Sequence, residues 1–324
     1  MSGDRPASRL ARRIRVEVAG RELELSNLDK VLYPAAGFTK GEVIDYYTRV
    51  APVLLPHLRD RALTRIRYPN GVDGPFFFEK NAPAGTPDWV RLERLPVPGS
   101  SKGREVLDYV VAEDLPTLVW LANLAALELH TPQWRVDATG VEGRAGADLP
   151  AAAPDLLVVD LDPGAPAALA QCCEVALLIR DRLAEDGLTG YPKTSGRKGM
   201  QVSAAVSGRQ SAEEVTDYVR RIAEELAAAS PKSITAQMAR RLRPGKIFID
   251  WSQNNAAKTT VAPYSLRAQP QPSVSAPLTW PEVSAAAGGG IARQFTAAEV
   301  LDRIGEHGDL LAPLLDGGPE VPVG

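Results

Sequence analysis

Residues 14–25 alternate apolar and polar side chains on either side of Ala19-Gly20. That period-2 pattern predicts two half-buried strands joined by a tight turn. Further on, Thr39 and Glu42 form a capping box ahead of a helical run through Val50 to about His57. Two more boxes, Ser211 with Glu214 and Thr296 with Glu299, predict later helix starts. Short runs rich in Val, Ile or Leu at 155–162, 189–194, 199–206 and 246–251 predict strands, and 165–186 reads as a helix. The order strand, helix, strand, strand, helix, strand is that of a mixed sheet flanked by helices, an α/β fold in the broad α+β sense, with a further β/α portion before it. There is no internal repeat. Residues 1–13 are expected to form a flexible arm, 145–154 a linker, and the Gly- and Pro-rich 313–324 a frayed tail. These divide the chain into an N-terminal portion, 14–145, and a catalytic portion, 155–312.

Composition narrows the class. No stretch approaches the ~18 apolar residues that span a bilayer, and arginines 5, 9, 12, 13 and 15 precede no apolar core of a secretory signal. Cys172 and Cys173 are adjacent in a helical pattern, so they read as buried small hydrophobes rather than a disulfide framework. A cytoplasmic, nucleoid-associated protein without a membrane partner is expected. The net charge of −3 disfavours a uniformly basic nucleic-acid binder, but phosphate contact needs only a local positive stripe. Lys30, Lys40, Arg65, Arg67 and Lys80 cluster in the first quarter of the chain; a solvated surface with scattered charges accounts for them equally well.

The most informative segment runs Leu156-Leu157-Val158-Val159-Asp160-Leu161-Asp162-Pro163-Gly164. In a strand, residues i and i+2 share a face, so Asp160 and Asp162 project together while Leu161 packs behind them. Two unpaired carboxylates there raise each other's pKa, and a divalent cation removes that penalty. Hard oxygen donors suit Mg2+ or Mn2+, with substrate phosphates completing the shell. Asp250 ends a second apolar run, Ile247-Phe248-Ile249. If the two strands are neighbours, it completes a three-carboxylate site for two ions about 4 Å apart. A turn or a loop cap is the ordinary alternative for either acid.

Other segments offer phosphate contacts. Thr194-Ser195-Gly196-Arg197-Lys198-Gly199 lies between two candidate strands and lets backbone amides and Lys198 approach an anion. It lacks the spacing of a Walker A loop, and a basic hairpin turn is its bland reading. His130, Lys258 and Arg267 are either anion contacts or structural partners of acids. Phe76-Phe77-Phe78-Glu79-Lys80 offers base stacking beside a phosphate contact, or simply a strand edge.

Taken together and in order, LSNLDKVLYP (25–34), YPNGVDGPFFFEK (68–80), LELHTPQW (127–134), DLDPG (160–164), SGRKG (195–199), FIDWSQN (248–254) and KTTVAPYSLR (258–267) resemble the polymerase module of bacterial ligase D. That module lies within the archaeo-eukaryotic primase superfamily, and the free-standing actinobacterial Prim-PolC enzymes are similar. The resemblance spans about Leu25 to Trp280. It implies a primase-type catalytic core that extends a primer against a template at short gaps or broken ends in non-homologous end joining, favouring ribonucleotides and manganese. Position by position, it implies Asp160, Asp162 and Asp250 as metal ligands and catalytic residues. His130, Ser195, Lys198, Gln201, Lys258 and Arg267 would bind the incoming NTP or dNTP. Lys30 and Lys40 would bind the 5′-phosphate of the downstream strand, while Phe77, Phe78, Arg67 and Lys80 would line the DNA.

One departure stands out. The family's second motif usually ends in a histidine two residues after the loop glycine; here that position is Gln201. A charged hydrogen bond contributes ~1.5–3 kcal/mol and a neutral one ~0.5–1.5 kcal/mol, so a cost of about tenfold in nucleotide affinity or rate is expected. The chain carries no Lys-x-Asp-Gly ligase nucleophile, so strand sealing is expected from separate repair proteins. Two competing classes are a non-catalytic DNA-end binder that kept Lys30 and Lys40, and a metal-dependent phosphatase whose Asp-x-Asp attacks phosphorus. Retention of all three acids argues against the first. The second lacks the expected Thr after the pair and leaves the other segments unexplained.

Overall fold

The computed structural model describes residues 13–97, 105–136 and 153–323. The mixed sheet expected from 155–251 has five strands in the order Tyr191–Thr194, Met200–Ala205, Leu156–Pro163, Ile247–Asp250 and Ile234–Thr235. Neighbours run antiparallel except the last pair. Leu157, Val159 and Leu161 of the central strand are fully buried in one core with Cys172, Ile179, Val219 and Ile222. Those partners come from the helices Leu169–Glu185 and Ala212–Ala229. Each such side chain contributes about 1.5–3 kcal/mol by leaving water. Alternation along the strand then obliges Asp160 and Asp162 to occupy the other face. Both cysteines are buried and free.

The capping boxes form as the sequence predicts. Thr39 N donates to Glu42 Oε2 (2.6 Å), Ser211 N to Glu214 Oε2 (2.7 Å) and Thr296 N to Glu299 Oε2 (2.8 Å). The N-terminal hairpin pairs Arg13–Val18 with Arg21–Ser26, turning through Ala19 and Gly20, both at positive φ.

A second, four-stranded antiparallel sheet orders Thr260–Val261, Ala126–Thr131, Thr64–Arg67 and Phe77–Glu79. Helix Lys40–Leu58 joins it to the segment around Arg267. Tyr46 OH donates to Tyr264 O (2.7 Å), and Tyr47 OH to Leu127 O (2.7 Å). Tyr33 OH reaches Arg267 O (3.2 Å). Buried hydroxyls need such partners, so these bonds specify how the segments dock.

The expected frayed tail needs correction. Ala312–Leu315 is a 3-10 turn, and Val321 is only 2% exposed. Gln210 clamps that residue twice, Nε2 donating to Val321 O (2.8 Å) and Oε1 accepting from Val321 N (2.6 Å). Gly318 permits the approach, because a Cβ there would lie 2.0 Å from Ala205 O. Composition marked this stretch as a breaker of regular structure, which does not prevent it from docking. The expected arm falls outside the described residues up to residue 12, as does most of the expected linker. No helix among the described residues is long and apolar enough to cross a membrane.

Candidate active site

Asp160 and Asp250 are direct register partners on adjacent antiparallel strands. Directly paired residues share a face, with Cβ atoms about 4.5–5.5 Å apart, so Asp250 joins Asp160 and Asp162 on the face away from the helices. Burial raises the Asp160 carboxyl, the Asp162 charge raises it further, and a hydrogen bond from Gln201 opposes them, leaving it at about 7. Burial and the Asp250 charge raise Asp162 as well. Among the described residues, no three His, Cys, Asp or Glu side chains are gathered closely enough to hold a metal ion as they stand. Asp250 is held by local bonds. Its Oδ1 accepts from Ser252 N (3.1 Å) and Oγ (2.5 Å), and its Oδ2 from Gln253 Nε2 (2.8 Å). The donor set still fits a divalent cation: three hard carboxylates share one face, and their mutual repulsion is the penalty a cation relieves. Lys258 Nζ donates to Ser252 Oγ, which places it one residue removed from Asp250.

The row of paired positions continues across the sheet from Asp160 to Gln201 and Lys193. Gln201 Nε2 donates to Asp160 Oδ1 (2.9 Å), and Lys193 Nζ donates to Gln201 Oε1. Burial lowers the Lys193 ammonium to about 7, against the Asp160 charge that raises it. Lys193 escaped the sequence reading, although Lys193 and Gln201 lie at the facing ends of a strand–loop–strand unit.

Beside the carboxylates lies a cationic pocket organised by a residue that was also missed. Glu128, fully buried, accepts from Arg197 Nη2 (2.7 Å) and Ala268 N (3.0 Å). Its Oε2 lies 3.0 Å from His130 Nε2 and 3.5 Å from Arg267 Nε. Burial alone would raise this carboxyl, but the His130 bond and the Arg267 and Arg197 charges hold it down at about 2. Burial lowers the His130 imidazole, against the Glu128 bond that raises it. The signal was present in Leu127-Glu128-Leu129-His130, where strand alternation sets Glu128 and His130 on one face.

The 195–199 loop closes against this pocket. Ser195 Oγ accepts from the backbone N of Arg197 (3.3 Å) and Gly199 (3.2 Å). Gly196 has φ +70°, and a Cβ there would lie 2.4 Å from Arg267 Cγ, so only glycine lets Arg267 lie across the loop. Lys198 stands exposed at the tip, outside this network.

The expected DNA contacts gather elsewhere. Lys40 Nζ donates to Ser26 O (2.6 Å) and Lys30 Nζ to Asn70 Oδ1 (3.0 Å). Burial, then the charges of Lys30 and Arg67, lower the Lys40 ammonium to about 8, which marks the three cations as near neighbours. Arg67 is the strand partner of Phe77, and its Nη1 donates to Glu79 Oε1 (2.9 Å). Phe76, Phe77 and Phe78 are 58%, 51% and 52% exposed, which no buried strand edge would leave in water. Lys80 is half-buried at the end of that strand.

Residues 39–311 match the family model described as "LigD, primase-polymerase domain". The chain is 44% identical over 292 residues to the multifunctional non-homologous end joining protein LigD of Mycolicibacterium smegmatis, covering 90% of this chain and 36% of that one. It is 33% identical over 288 residues to the bifunctional LigD of Bacillus subtilis, covering 89% and 43%. It thus spans well under half the length of these relatives. The polymerase domain of Mycobacterium tuberculosis ligase D, solved in complex with DNA, superposes with a TM-score of 0.82 at 42% identity, over 92% of this chain and 98% of that domain.

Proposed function

Because the chain belongs to the LigD primase-polymerase family, we propose that it is a template-dependent nucleotidyltransferase extending primers at short gaps or broken DNA ends during end joining. The observation that carries this reading is the direct strand pairing of Asp160 with Asp250 on the face that bears Asp162. Asp160, Asp162 and Asp250 would hold two divalent ions, manganese or magnesium, which supply charge neutralisation at the attacking 3′-hydroxyl and the leaving pyrophosphate.

The protein's own share is positioning and electrostatics. Arg267 and Arg197, now held by Glu128, take the triphosphate. His130, whose Nε2–H now bonds Glu128, would turn that one donor to the triphosphate when it binds. Ser195 and Lys198 close over the phosphates from the loop, and Lys258 adds a cation behind Asp250. Lys30 and Lys40, with Arg67 beside them on Glu79, receive the 5′-phosphate beyond the gap. Exposed Phe77 and Phe78 stack on the template, with Lys80 on its backbone. Ribonucleotides are preferred, and a DNA ligase activity completes the repair in the cytoplasm at the nucleoid.

The decisive assay offers purified protein a 5′-phosphorylated one-nucleotide gap with manganese and parallel ribo- and deoxyribonucleotides. Templated addition, faster with ribonucleotides, is expected. No addition of either nucleotide would overturn the reading. Lys30→Ala should weaken gap binding chiefly when the 5′-phosphate is present.

A further inference from the structure

We infer that Gln201 is a positioning residue that holds Asp160 in place under the control of buried Lys193, and that it is not a contact to the triphosphate. The inference rests on the reading of Asp160 as a metal ligand. Lys193, Gln201, Asp160 and Asp250 occupy directly paired positions on consecutive strands, so their side chains form one row across the sheet. Lys193 and Gln201 are 3% and 4% exposed. The Lys193 ammonium has three donors and no acceptor. It spends them on Gln201 Oε1, Ser275 Oγ (2.8 Å) and Val261 O (3.0 Å).

Because an ammonium only donates, the amide oxygen of Gln201 must face Lys193. The amide NH2 then has to face the carboxylate, and it donates to Asp160 Oδ1 at 2.9 Å. Val261 lies on the strand paired with His130, and Ser275 holds Thr194 O (3.0 Å). Lys193 therefore ties the amide to two parts of the molecule that are themselves fixed. Gln201 is held at both polar ends, its amide oxygen by Lys193 and one amide N–H by Asp160, which turns the side chain toward the carboxylate. Asp160 is left with Oδ2 and the remaining lone pairs of Oδ1 free toward Asp162 and Asp250. A glutamine here does a different task from a charged triphosphate contact: it fixes which way a metal-binding carboxylate points.

The test separates metal from nucleotide. Manganese binding to the full chain is titrated without DNA or nucleotide, by the loss of the free Mn2+ resonance, for wild type, Gln201→Met, Gln201→His and Asp160→Asn. Nucleotide KM is then measured at saturating Mn2+. Gln201→Met, of similar length without polar ends, should weaken Mn2+ binding about tenfold, the scale of one lost hydrogen bond to a charged group. Its KM should change less than threefold. Gln201→His keeps an N–H for Asp160 and should bind Mn2+ within threefold of wild type; it also serves as the folded comparison should Gln201→Met prove unstable to heat. Lys193→Met, combined with Gln201→Met, should be non-additive, because the lysine acts through the amide. Unchanged Mn2+ binding in Gln201→Met with a raised KM overturns the inference, as do additive effects of the two methionines. If Asp160→Asn leaves Mn2+ binding intact, the metal reading fails and the inference falls with it, an outcome distinct from failure at Gln201 alone.

Discussion

Asp160 and Asp250 stand opposite each other on neighbouring antiparallel strands, two acids at positions where cross-strand pairs ordinarily carry apolar or opposite charges. Such an arrangement costs stability in the free protein. Asp250→Asn keeps the shape and a side-chain oxygen for Ser252 while removing one charge, and a flip of the Gln253 amide turns its Oε1 to the new NH2 in place of the bond its Nε2 now makes. In metal-free buffer it should unfold no earlier than wild type, and up to a few degrees later, on the order of 1 kcal/mol. The same variant should lose nucleotide addition by at least about a hundredfold, with gapped-DNA affinity within about twofold. Thermal unfolding and primer extension check the two halves; a variant both less stable and fully active would remove the three-acid site.

Lys40 should make end recognition depend on pH. Its ammonium is lowered to about 8 by burial and by Lys30 and Arg67, so the charge is present below that pH and is lost as pH rises through it. The advantage of a 5′-phosphorylated gap over an unphosphorylated one should therefore shrink between pH 7 and 9. An arginine at this position stays charged, and Lys40→Arg should flatten the profile. Fluorescence anisotropy at constant ionic strength measures it.

Glu128→Gln should loosen the triphosphate pocket and the fold together. Removing one member of a buried, multiply paired charge cluster costs about 3 kcal/mol. Nucleotide KM should rise on the order of tenfold as Arg197, Arg267 and His130 lose their common anchor. The sign with pH follows from the depressed carboxyl, held at about 2. Its contribution to stability is fully present above the ordinary glutamate value near 4.5 and is lost as pH falls toward 2. The gap in stability between wild type and variant should close over that window in denaturant titrations, and a constant gap would remove Glu128 from the electrostatic role.

Phe77→Ala should weaken templated addition without destabilising the protein. The ring is half exposed, so little core packing is lost, whereas base stacking on an aromatic contributes about 1–3 kcal/mol. Roughly tenfold weaker binding to gapped DNA is expected, with no change in binding of free nucleotide. Parallel anisotropy and nucleotide titrations distinguish this from a general loss of structure.

Local chemistry was legible along the chain. The alternation through Leu157, Val159 and Leu161 determined that Asp160 and Asp162 share a face, because strand period is a property of neighbouring residues. The boxes at Thr39, Ser211 and Thr296 likewise marked their helix starts, since a cap is satisfied within a single turn. The apolar run before Asp250 marked it as a candidate third acid, and the resemblance to ligase D polymerase modules implied the same, but it took the folded chain to set that residue against Asp160. Register between strands far apart in sequence is decided by which faces pack, not by either strand alone. The same reason hid Glu128 as the partner of Arg197 and Arg267, the Lys193–Gln201 link to Asp160, and the docking of Val321 on Gln210. Each is a pairing of polar groups that only burial makes obligatory, and burial is a property of the whole fold.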